Sequence, residues 1–115
     1  MDPKRAKELL REERRRIERS LRGVAADDDA QSHQDRHLEH LADDATDLTQ
    51  NDFDEVLAEQ LRRELEAVER AERRLAEGTY GLSVESGESI PDERLEANPT
   101  AERTAEEQER FAHGR

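Results

Sequence analysis

Two narrow stripes of apolar side chains, recurring every three or four residues, are what this chain offers for burial. The first runs through Ala6, Leu10, Ile17, Leu21 and Val24, with Glu13 interrupting it. The second runs through Phe53, Leu57, Leu61, Leu65, Val68, Ala71 and Leu75. That period belongs to one face of an α-helix. With 43% of 115 residues charged and 31% hydrophobic, a thick globular core is excluded. Helix packed on helix is the architecture such stripes can close, and the fold class expected is all-α.

The first stripe predicts a helix over 3–22. Pro3 suits its opening turn, and Glu12–Arg16 and Glu18–Arg22 stand at the i,i+4 spacing of supporting ion pairs. Gly23 weakens a helix by about 1 kcal/mol relative to Ala without ending it. The second stripe predicts a helix from about 52 to 77. Asn51 or Asp52 would cap it, and Gly78 would stop it. An antiparallel hairpin sets Leu10 against Leu75, Ile17 against Val68 and Leu21 against Leu65, which puts its turning point near residue 43. The tip is then His40 to Asp47, HLADDATD, provided the first helix runs on through Gly23. A shorter hairpin, with 25–46 as a loose crossing, is the alternative. The expected division is a coiled-coil hairpin over 1–77 and a separate small unit over 78–115.

Charge narrows the function. The net charge is −12, unevenly spread. Residues 4–22 carry nine Lys/Arg against four Asp/Glu, and residues 27–59 carry twelve Asp/Glu against one Arg. A nucleic-acid binder presents a basic face to phosphates; most of this chain would repel them. Docking on a basic protein surface is expected instead. No run of 18 apolar residues and no secretory segment is present, so a cytoplasmic protein is expected. There is no cysteine, hence no disulfide and no thiolate-held metal. No nucleophile elbow, phosphate loop or cysteine nucleophile stands out, so neither an enzyme nor a cofactor is expected.

The stretch Gly78 to Gln108 has another character. A Gly-Thr-Tyr-Gly turn opens it, Ser86-Gly87-Glu88-Ser89 is turn chemistry, and short helices are expected over 91–97 and about 101–112. Thr100 with Arg103 forms an imperfect capping box for the second. Ser83, Ser86, Thr104 and Glu107 follow the x-x2-x-x17-x-x2-x spacing of a four-cysteine zinc site.

Gly78-Thr79-Tyr80-Gly81, Ser86-Gly87-Glu88, Ile90-Pro91 and Arg94-Leu95-Glu96-Ala97-x-Pro99 resemble the DksA/TraR family of bacterial transcription factors. The resemblance is strong over these thirty or so residues and weaker over the helices before them. It implies that Ser83, Ser86, Thr104 and Glu107 stand where the family places its zinc cysteines. Hydroxyls are poor zinc ligands and Glu107 is a single donor, so a metal-free knuckle is expected. A plug of these polar groups would hold it, ringed by Leu82, Val84, Ile90, Leu95 and Phe111. The melting temperature should then be indifferent to EDTA.

The resemblance also implies a function. In the family the hairpin enters the secondary channel of RNA polymerase, and an Asp-x-x-Asp-x-Ala motif at its tip works near the active centre. The residues here read His40-Leu41-Ala42-Asp43-Asp44-Ala45. Asp43 and Ala45 keep the second half of that motif, Asp44 adds charge, and His40 replaces the first Asp. The reading is a monomeric transcription regulator. Two alternatives stay open: an adaptor hairpin that pairs with another helix or a second copy, and a metal-responsive protein using His33, His37 and His40, which share one face if their segment is helical.

Overall fold

A computed structural model describes residues 1–25 and 50–114. The fold is all-α: helices α1 (Pro3–Ala25), α2 (Gln50–Glu77), α3 (Asp92–Ala97) and α4 (Ala105–Ala112), and among the described residues no strand beyond one isolated antiparallel bridge, Leu82 with Ser89. α1 runs through Gly23, as the longer hairpin requires. α2 opens at Gln50, so Asn51 and Asp52 lie inside it rather than capping it, and Asp52 places a negative charge in the first turn as the helix dipole favours. The tip expected at residues 40–47 lies outside the described residues.

Contacts divide the chain into two units: residues 15–65, and residues 1–14 with 66–115. In the first, Ile17, Ala58 and Leu61 are buried, and Arg16 donates to Glu64 at 2.7 Å across the helix pair. In the second, Ala6, Leu9 and Leu10 of α1 and Val68 and Ala71 of α2 are buried. Arg14 donates from Nε and Nη2 to the two oxygens of Glu72 at 3.2 and 2.7 Å. Such a two-pronged pair is the strongest geometry an Arg and a carboxylate adopt, and it ties α1 to α2 in this unit. Leu9, outside the predicted stripe, is buried beside Leu10, so the stripe is wider at this end. Among the described residues, no helix is long and apolar enough to cross a membrane.

Candidate functional site

α2 ends where a left-handed residue becomes necessary. Gly78 has φ +82°, the Thr79 amide donates to the Arg74 carbonyl at 2.8 Å, and the Gly78 amide donates to that of Leu75 at 3.3 Å. This pair of bonds closes the orphaned carbonyls of a helix C-terminus. The chain reverses again at Gly81, φ +86°, whose missing Cβ would sit 3.5 Å from Leu95 Cδ1. The following loop folds back on itself: Ser83 donates from its amide to the Glu88 carbonyl at 2.8 Å, and Ile90 donates to that of Gly81 at 2.7 Å.

These turns bring the four zinc-spaced positions onto one carboxylate. Ser83 Oγ donates to Glu107 Oε1 at 2.6 Å and accepts from the amides of Glu85 and Ser86 at 3.1 and 3.2 Å. The Thr104 amide also donates to Glu107 Oε1, at 2.9 Å, and the Glu107 amide donates back to Thr104 Oγ1 at 3.3 Å. The last two bonds form a capping box that starts α4. Ser83 and Glu107 are both buried. The hydroxyls of Ser83 and then Ser86, followed by the Thr104 amide, hold the Glu107 carboxyl down to about 2. A buried anion surrounded by donors takes the centre of the knuckle.

This donor set does not fit zinc. It offers three hydroxyls and one carboxylate in place of thiolates or imidazoles, and the best donor is spent on Ser83 and Thr104. Among the described residues, no group of three or more His, Asp or Glu side chains is placed to hold a metal.

The apolar half of the plug is smaller than the sequence suggested. Ile90, Leu95 and Ala101 form the buried cluster, with Met1 and Tyr80 packed on it. Leu82, Val84 and Phe111 are exposed, which corrects their assignment as plug residues. The physical reason is the carboxylate: once a buried anion and its donors fill the centre, the side chains beside Ser83 point outward. Phe111 is covered in part by Arg103, whose guanidinium stands 3.8 Å from the ring centroid and donates to Glu85 at 2.6 Å.

Two knuckle carboxylates, Glu96 and Glu102, tie it to the helix pair of its own unit, and Tyr80 ties the knuckle to itself. Arg5 grips Glu96 with bonds of 2.8 and 2.7 Å. Glu102 accepts from Arg70 Nε at 3.0 Å and from Arg74 Nη1 at 2.9 Å. Burial pushes the Glu102 carboxyl up, but the hydrogen bonds and charges of Arg70 and Arg74 outweigh it and leave the group lowered. Tyr80 donates to the Pro99 carbonyl at 2.8 Å, and burial raises its hydroxyl to about 12.

Of the residues singled out by sequence, Ser83, Ser86, Thr104 and Glu107 are brought together. Asp43, Asp44 and Ala45, and also His33, His37 and His40, lie outside the described residues. Sequence reasoning chose Thr100 with Arg103 as the cap; the helix starts four residues later, at Ala105, where Thr104 and Glu107 form a complete box. The T-x-x-E signature of that box is in the sequence at Thr104 and Glu107, where it coincides with two of the zinc-spaced positions.

The Glu107 carboxylate makes a pH prediction. Its folded value of about 2 lies below the ordinary 4.5, so its contribution to stability is present above pH ~4.5 and is lost as pH falls toward 2. Glu107→Gln should therefore melt below the native chain at pH 7, and the gap should close between pH ~4.5 and 2. Thermal melts by circular dichroism across that range check this; a gap that stays constant would show that the charge is not what stabilises the knuckle.

Residues 78–113 match the family model of the prokaryotic DksA/TraR C4-type zinc finger. The chain is 44% identical over 69 residues to general stress protein 16O of Bacillus subtilis, covering 60% of this chain and 42% of that protein. It is 39% identical over 70 residues to RNA polymerase-binding transcription factor DksA of Caulobacter vibrioides, covering 61% of this chain and 49% of that protein. The chain thus spans about half or less of these relatives. Its fold is similar to that of transcription factor DksA2 from Pseudomonas aeruginosa, with a TM-score of 0.67 over 96% of this chain and 83% of the other, at 22% identity. Residues 78–113 thus carry the pattern of the DksA/TraR C4-type zinc finger without any of its cysteines, on a fold similar to that of DksA2.

Proposed function

We propose that this chain is a transcription regulator that binds RNA polymerase through the secondary channel, with Asp43, Asp44 and Ala45 at the working end of the hairpin. The observation that carries the reading is the 39% identity over 70 residues to a factor named for binding RNA polymerase. The paired helices α1 and α2 and the strongly acidic stretch between them support it. A net charge of −12 would steer the chain toward a basic pore and make its association rate fall with salt. The regulator works as a monomer in the cytoplasm, where its partner is found, and acts by occupancy rather than catalysis.

Capture of core RNA polymerase on immobilised protein tests the reading. Binding is expected at low salt, weakened on the order of tenfold when Asp43→Asn and Asp44→Asn are combined, since two charges leave the contact. Undiminished capture by that variant would remove the tip from the mechanism. No capture at low salt would remove the polymerase and favour the adaptor reading.

A further inference from the structure

A second surface, independent of the tip, lies along the start of α1. A groove of about 620 Å³ runs between the first turns of α1 and the last turns of α2. Its apolar floor is formed by Leu75 and Ala76 over the buried Leu10, and its α1 rim by Lys4, Lys7 and Arg11. Both sides belong to the same unit of the chain. At one end Arg14 is held by Glu72.

The rim differs from the arginines that clamp this unit together. Arg5, Arg14, Arg70, Arg74 and Arg103 all have carboxylate partners. Lys4, Lys7 and Arg11 are exposed, and among the described residues no carboxylate is paired with their side chains. Their spacing of three and then four residues aligns them on one face of α1. Three unpaired cations therefore stand in a row beside an apolar floor.

We propose that this groove is a docking site for an acidic amphipathic helix of a partner protein. Two features select that occupant. The floor asks for aliphatic side chains at i, i+3/i+4 and i+7, the pattern by which helices are read in grooves, whereas a phosphate backbone or a fully polar peptide would leave it wet. The rim asks for carboxylates along one side of the same helix, and unpaired rim cations add electrostatic steering as well as orientation. The proposal does not rest on the polymerase reading, because the groove is formed by described residues of one unit and involves none of the tip residues.

The test uses the full chain and two synthetic 18-residue helical peptides with leucines at i, i+3/i+4 and i+7. One carries glutamates on its flank and the other carries lysines; a leucine-free polyglutamate is the third probe. Fluorescence anisotropy at low salt should show binding of the Glu/Leu peptide, weakened at least tenfold by the double variant Lys7→Glu/Arg11→Glu and separately by Ala76→Glu. All three positions are exposed, so these variants should keep the native helicity and melting temperature. Equal binding of the Lys/Leu peptide, or of polyglutamate, would overturn the proposal by removing the charge or the apolar floor from recognition. Unchanged affinity in both variants would overturn it by placing the peptide elsewhere. A dimer of the chain itself in sedimentation equilibrium, abolished by Lys7→Glu/Arg11→Glu, would overturn it by making a second copy the occupant.

Discussion

Replacing Ser83, Ser86, Thr104 and Glu107 together by cysteine should make the folding of the knuckle depend on zinc. The four positions already converge: Ser83 and Thr104 both donate to one oxygen of Glu107, and the Ser83 hydroxyl takes the Ser86 amide. Thiolates placed there have the ligand identity and number of a structural zinc site, whose binding contributes on the order of 10 kcal/mol of apparent folding free energy. The quadruple variant with zinc should melt well above the same variant in EDTA. In EDTA it should also melt below the native chain, because the capping box and the buried anion are gone. The native chain should melt identically with and without EDTA. If the variant binds zinc no better than the native chain, the four side chains do not share a centre. If EDTA lowers the melting temperature of the native chain, a metal stabilises it after all.

The second large effect is expected at Leu95. It is fully buried in the cluster with Ile90 and Ala101, and Met1 and Tyr80 lie against that cluster. Leu95→Ala would leave a cavity in a core too small to collapse around it, and such truncations cost about 2–5 kcal/mol. For a unit of this size that is a fall in melting temperature of about 10 °C or more. Phe111→Ala is the matched control. Phe111 is 55% exposed and holds one cation–π contact, so the loss should be about 1 kcal/mol or less. Comparable falls in the two variants would mean that the buried cluster is not what holds the knuckle.

The helices were legible because periodicity reports burial directly. Leu10, Ile17, Leu61, Val68 and Ala71, all read from the two stripes, are buried, and Gly78 ends α2 in the left-handed conformation expected of it. The four-position spacing was legible for a related reason: the backbone turns that bring these residues together rest on Gly78 and Gly81, both left-handed. The centre of the site was harder to read. A pattern of ligand positions says where side chains meet, but which one dominates depends on donor geometry: Glu107, expected as the single credible metal donor, is the acceptor that organises the rest. The outward placement of Leu82, Val84 and Phe111 follows from the same fact. The Glu102 clamp carries no periodic signal at all, since Arg70 and Arg74 face it from 32 and 28 residues away.

The way α1 is held has a consequence for the order of events at the ribosome. Arg14 meets a partner 58 residues later in the chain, and Arg5 meets one 91 residues later. The opening helix therefore leaves the exit tunnel long before the segments that cover it, with the apolar face of Ala6, Leu9 and Leu10 bare in the meantime. At about 5–20 residues per second, that interval lasts several seconds, far longer than a helix needs to form. The closing step, in which α1 meets the knuckle through Arg5 and Glu96, belongs after synthesis of Glu96 rather than during it.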